Sequence, residues 1–187
     1  MKKLHISMLI SLLALSGKTY AGGLPDGWHQ FSKTPESKIE TGIDEKIFHS
    51  EPSSFYLTCT SGMGGNINQK IVGAEYSGKR IKVSAYLKSD NLTNDNGYGG
   101  QVWAYSYSGK DVYMTSAAGN IKGTTDWTEY SVVFDVPKDN PSVTYGLSVS
   151  GHGTVWIDSI NFEVVDKSTP LKNARYSKGV SKPKNLP

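Results

Sequence analysis

Between Gln101 and Tyr107 the chain alternates rings with small residues, so that Trp103, Tyr105 and Tyr107 fall on one side of an extended strand and Val102, Ala104 and Ser106 on the other. Successive side chains of a strand point to opposite faces, which makes one face of this segment wholly aromatic. Flat, rigid rings with polar tips suit a sugar: axial C–H groups lie against the ring while hydroxyls reach nearby polar side chains. Lys82, Lys88 and Gln101 carry amine and amide groups suited to such contacts. Residue type alone leaves a second arrangement open, with the rings inside the protein, because large rings more often fill a core than a surface.

A second feature with chemical weight is Asp158, which the alternation of Trp156, Ile160, Phe162 and Val164 places on the apolar side of a strand. An ionised carboxylate there is costly unless it is hydrogen-bonded, paired or coordinated to a cation. Catalytic constellations are absent. His5, His29, His49 and His152 are scattered, with no His-Glu-x-x-His helix and no Gly-x-Ser-x-Gly elbow. Cys59 alternates with Phe55 and Leu57, as a buried inert thiol would. With no second cysteine, a disulfide framework within the chain is excluded, as is a cysteine–histidine zinc cluster. The glycine-rich stretch from Gly62 to Gly65 lacks the lysine and helix of a phosphate-binding loop and is expected to be a flexible loop. The expectation is a protein that is not an enzyme.

These residues need strands to position them. Apolar and polar residues alternate through Ile81, Val83, Ala85 and Leu87, again through Tyr130, Val132, Phe134 and Val136, through Val143, Tyr145, Leu147 and Val149, and finally from Trp156 to Val164. Weaker strand signals lie at Gly27–Phe31, Ile39–Ile43, Phe55–Cys59, Asn66–Val72 and Val102–Tyr107. Turns are expected at Glu75–Lys79, Asn94–Gly97, Gly123–Asp126, Lys138–Pro141 and Gly151–Gly153, and Trp28 and Trp127 at the core edge or a sandwich corner. No amphipathic helix stands out. About nine one-sided strands predict an all-β protein, a two-sheet antiparallel β-sandwich.

Three domains of behaviour divide the chain. Residues 1–21 have a basic start at Lys2 and Lys3, an apolar run of about a dozen residues and a small-residue ending at Ala21, the pattern of a secretory signal peptide and too short for the roughly 20 residues of a membrane span. Export to the bacterial periplasm or beyond, with no transmembrane segment left after cleavage, is the expectation; an intact mass lacking residues 1–21 in exported material checks it, and a species retaining Met1 contradicts it. Residues 22–166 carry 11 basic and 17 acidic side chains, and residues 167–187 carry six basic and none acidic. The body is the folded domain, and the basic segment, without strand or helix periodicity, is expected to be a disordered tail drawn loosely to the acidic body. Nothing in this charge pattern calls for a nucleic-acid partner.

Three segments go beyond a generic sandwich pattern: Gly78 to Lys88, Ile121 to Tyr130, and Gly151 to Asp158. With Gly27-Trp28 and Gln69, their order resembles the galactose-binding-domain-like β-jelly rolls, which include many carbohydrate-binding modules, over residues 24–166. The resemblance implies a two-sheet jelly roll, usually non-catalytic, binding glycan, and sometimes holding a structural calcium. It implies that Val102, Ala104 and Ser106 face the core, leaving Trp103, Tyr105 and Tyr107, with Tyr86, on an outer sheet surface beside Lys88 and Gln101. It also implies a calcium candidate at Asp158, with Glu40 and Asp44 as the nearest partners; calcium takes six to eight oxygen ligands. The chain departs from the family at Met114–Asn120, where relatives carry an Asp-Asn-Met-like stretch. The leading expectation is an exported module that binds carbohydrate or a similar polar ligand, and the alternative is an envelope protein-interaction or sensory module on the same scaffold.

Overall fold

A computed structural model of the chain describes residues 24–32, 35–93, 98–108, 112–139 and 141–178. The expected leader and the Asn94–Gly97 turn lie outside the described residues. Nine strands follow in order: β1 (Trp28–Ser32), β2 (Ile39–Asp44), β3 (Ser54–Val72), β4 (Arg80–Leu92), β5 (Gly100–Ser108), β6 (Val112–Ile121), β7 (Gly123–Asp135), β8 (Ser142–Val165) and β9 (Ala174–Lys178). Every pairing is antiparallel.

The strands form two layers because β3 and β8 are long enough to run through both. In the first layer β2 pairs with the start of β3, which pairs with the end of β8, then β4 and β7. In the second, β1 pairs with the end of β3, which pairs with the start of β8, then β5, β6 and β9. Between the layers lies one apolar core that includes Leu57, Ile81, Leu87, Phe134 and Leu147, all fully buried. The alternations along β4, β7 and the first half of β8 supply its inward faces, as their period requires.

The bends of β3 and β8 correct two sequence expectations. Gly62–Gly65 is not a loop: β3 runs through it, with register shifts on β8 after Cys59 and again before Gly65. Gly64 sits at φ 79, and a Cβ there would lie 2.4 Å from the Val149 carbonyl oxygen, so the crossing of the two bent strands is open only to glycine. Gly151–Gly153 likewise does not reverse the chain; it lies inside β8 where that strand passes from one layer to the other.

The basic segment also differs from expectation. Arg80 donates to both carboxylate oxygens of Asp135 at 2.9 Å and to the carbonyls of Lys167 and Thr169 at 2.7 and 2.6 Å, while Lys167 Nζ reaches Asp135 at 2.7 Å. The hydrogen bonds from Arg80 are the chief reason the Asp135 carboxyl is held below the usual carboxylate range. Lys172 and Val133 then exchange backbone hydrogen bonds, and residues 174–178 add to the edge of β6 as β9. A strand without apolar periodicity forms here because an open sheet edge offers unpaired backbone donors and acceptors to whatever chain is held beside it.

Candidate functional site

On β5 the two readings of the aromatic alternation separate cleanly. Val102, Ala104 and Ser106 are buried at 2, 0 and 0% exposure, so they are the inward face. Gln101, Trp103 and Tyr105 are half-buried on the opposite, outer face of the second layer. The Trp103 and Tyr105 rings are parallel to within 6°, with centroids 5.6 Å apart. Tyr107 continues the strand opposite Tyr113, and its side chain lies outside the described residues.

What surrounds the ring pair follows from the register. Trp103 is flanked by Gly146 on β8 and Ala117 on β6, so neither neighbour raises a bulky side chain beside the indole. Further rows bring Thr144 opposite Tyr105 and Ser148 opposite Gln101, and behind them Asn68, Asn66 and Lys70 on β3. Asn68 Nδ2 donates to Asn66 Oδ1 at 2.8 Å, which aligns the two amides along one strand. A stacked aromatic step thus stands over a floor of small residues, with hydroxyl and amide groups a strand away. Among buried side-chain polar atoms, Trp103 Nε1, Ser106 Oγ and Ser150 Oγ have no hydrogen-bond partner among the described residues. Two of these three belong to β5, which therefore keeps unmet polar capacity.

Tyr86 and Lys88, expected on the same surface, are not there. Both lie on the outer face of β4, which pairs with β7 and the end of β8 in the first layer, on the far side of the sandwich from Trp103. Tyr86 is covered by the His49 ring, stacked at 3.6 Å and 14°, and His49 meets Trp127 edge-on at 6.0 Å. Lys88 Nζ is taken up by Asp126 at 3.2 Å. Lys82, also on β4, pairs with Glu163 at 3.0 Å. Only Trp103, Tyr105, Gln101 and the Tyr107 backbone position are brought together.

The three acids named for calcium have separate uses. Asp158 sits on the outer face, not the apolar one, because a bulge at Ser159 (φ 52) shifts the parity of β8 between Asp158 and Asn161. Its Oδ2 accepts the backbone N–H groups of His49 and Ser50 at 2.7 and 2.9 Å, fastening residues 49–50 over Tyr86. Asp44 Oδ1 accepts the N–H groups of Lys46 and Ile47, both at 2.9 Å, and Oδ2 accepts Trp156 Nε1 at 2.9 Å. Burial works against ionisation of Asp44, but these three donors outweigh it and hold its carboxyl below the usual range. Glu40 accepts from the Tyr56 hydroxyl at 3.4 Å. No group of three or more His, Cys, Asp or Glu suited to a metal occurs among the described residues. The backbone donors around Asp158 carried no sequence signal, since they come from residues more than a hundred positions away.

Elsewhere the sequence expectations for single residues stand as follows. Cys59 is buried, His29 and His152 are exposed, and Trp28 packs edge-on against Tyr145 at 5.7 Å. Tyr145 donates to Gln69 Oε1, and burial pushes its hydroxyl up to about 12. A shallow polar groove of about 440 Å³ lies by β1 and β2, lined by Gln30, Glu40, Thr41 and Tyr56. It contains neither ring of the stacked pair, and a platform on a sheet face has no need of an enclosing pocket.

Two bent antiparallel layers with one aromatic outer face define the class: a β-jelly roll of the carbohydrate-binding-module kind. A family 16 carbohydrate-binding module superposes with a TM-score of 0.53 at 17% identity, over 74% of this chain and 91% of its own. The CBM22-1 xylan-binding domain of Paenibacillus barcinonensis Xyn10C does so with a TM-score of 0.53 at 11% identity, over 78% and 90%. At these identities the likeness is one of fold. No family model matches the sequence. A curated relative, an uncharacterized HTH-type transcriptional regulator of Bacillus subtilis, YbfP, is 31% identical over 163 residues, 83% of this chain and 52% of the regulator. The chain thus spans about half the length of that relative. No helix among the described residues is long and apolar enough to cross a membrane.

Proposed function

We propose that the protein is a non-catalytic module that binds carbohydrate through the outer face of the second layer. The observation that carries this reading is the parallel Trp103–Tyr105 pair on a strand whose alternate residues fill the core. A ring pair held outside a rigid sheet presents apolar surface at low entropic cost, and the hydroxyl and amide groups of Thr144, Ser148, Asn66 and Asn68 supply the directional contacts a sugar requires. Solved modules of the same fold include one whose name states that it binds xylan, which supports the ligand class without selecting the sugar. Export, argued from residues 1–21, belongs to the same proposal.

A second reading is favoured by one observation, the likeness to part of a transcriptional regulator. On that reading the same face is a sensory surface for a soluble sugar or another small polar ligand, or a contact surface for a protein partner. Pull-down of the full chain on a panel of neutral and acidic polysaccharides, with calorimetric titration of mono- and oligosaccharides, separates the two. Retention by at least one polysaccharide is expected. Binding confined to a small soluble ligand supports the sensory reading, and binding to no sugar of any size overturns the proposal.

A further inference from the structure

The two layers differ in charge in a way their shared fold does not require. Every carboxylate within a strand belongs to the first layer, on β2, β4, β7 and the end of β8, among them Glu40, Asp90, Glu129 and Glu163. The strands of the second layer, namely β1, residues 65–72 of β3, residues 142–150 of β8, β5, β6 and β9, contain no aspartate or glutamate. Carboxylates near that layer, such as Asp26, Glu75 and Asp139, are in the connections at strand ends. In a body with 17 acidic and 11 basic side chains, the ring-bearing sheet is the one cleared of negative charge.

Cations stand on both flanks of the rings. The register runs Lys70, Thr144, Tyr105, Thr115, Arg175 across five neighbouring strands, β3, β8, β5, β6 and β9. Residues directly opposite one another in antiparallel pairs share a face, so Lys70 and Arg175 occupy the two ends of the row through Tyr105. Lys70 is exposed and makes no ion pair among the described residues, unlike Lys82, Lys88 and Lys167. Arg175 reaches this row only because the basic segment folds back as β9. Neighbouring strands lie roughly 4.8 Å apart, so the row from Lys70 to Arg175 spans about 19 Å, room for several sugar units.

From this distribution we infer that the ligand is an anionic glycan, one bearing carboxylate or sulfate groups, whose sugar rings lie along Trp103 and Tyr105 while its charges meet Lys70 and Arg175. The inference rests on the carbohydrate-binding reading and specifies its substrate class. A neutral glycan has no use for a sheet without carboxylates; an anionic one is repelled by each carboxylate and drawn by each cation, and exposed pairs of this kind are individually weak and sensitive to salt.

The test is titration of the full chain with two matched pairs at low salt: polygalacturonate against its carboxyl-reduced form, and a sulfated galactan against its desulfated form. The expected result is binding of one or both anionic members about tenfold tighter than the neutral partner, with the preference reduced at high salt and lost in a Lys70→Glu, Arg175→Glu double variant that melts as the parent does. If the uronate is preferred the charge read is carboxylate, and if the galactan sulfate is preferred it is sulfate. Equal binding of charged and neutral members, or a preference untouched by the double variant, overturns the anionic inference and leaves the carbohydrate reading in place. Should the double variant fail to fold, the matched pairs and the salt dependence measured on the parent chain still decide the matter. Absence of binding to all four, together with absence across the wider panel, overturns the carbohydrate reading itself.

Discussion

Replacing Trp103 and Tyr105 together by alanine is expected to abolish retention on polysaccharide while the protein continues to melt cooperatively. The rings are half-buried on the outside of a sheet whose inward residues, Val102 and Ala104, stay in place in the variant. Their removal costs the mutual stacking, on the order of 1 kcal/mol, and part of their buried area, about 2 kcal/mol together. For a domain of this size that lowers Tm by roughly 4–8 °C. In binding, two aromatic anchors at the centre of a contact contribute about 2 kcal/mol each, so affinity falls by on the order of a thousandfold. A core role would look different: loss of two buried rings costs about 3–5 kcal/mol each and would leave little folded protein. Pull-down and thermal melting on the same preparation check both halves. Unchanged binding in a folded variant would remove the ring pair from the site.

The second large effect is expected at the corner of β8. Gly151 sits at φ 98, and a Cβ there would lie 2.2 Å from the Thr93 carbonyl oxygen; Gly153 sits at φ 123. Between them His152 is clamped by its backbone alone, its carbonyl accepting Thr93 N–H at 2.7 Å and its own N–H donating to Thr93 Oγ1 at 2.8 Å. A side chain at 151 must therefore adopt a left-handed backbone and push the end of β4 away. Gly151→Ala is expected to cost about 3 kcal/mol, from backbone strain and the displaced contact together, and to lower Tm by roughly 6–12 °C. His152→Ala, with an exposed side chain, should change stability by less than about 0.5 kcal/mol. Melting curves of the two variants side by side test the clamp, and equal stability would show that the corner is not held this way.

How far the fold was legible depended on how local its causes are. Ile81, Val83, Ala85 and Leu87 announce β4 because every second residue meets the core. The same logic found the inward face of β5 only with help from a family resemblance, since rings and small residues are both at home in a core. Gly151-His152-Gly153 reads as a turn because glycine permits positive φ; whether positive φ reverses a strand or bends it onward is decided by what lies across from it, here Thr93. Ser159 illustrates the limit at one residue: its bulge moves Asp158 to the opposite face, and nothing in the surrounding alternation marks the shift. β6 was missed because Ser116-Ala117-Ala118-Gly119 has no contrast between faces, and β9 because its strand character comes from the edge of β6. Tyr86 was assigned the right parity and the wrong side of the molecule, for parity is a property of one strand and layer membership a property of the whole topology.

The two long strands have a mechanical consequence. Since β3 and β8 each run without interruption from one layer into the other and remain hydrogen-bonded to each other on both sides of the corner, the sandwich is closed like a folded sheet of cloth, not like two boards pressed together. Sliding one layer against the other would tear a seam of backbone hydrogen bonds. The surface that carries the indole and phenol rings thereby takes its stiffness from strands anchored on the opposite side of the molecule.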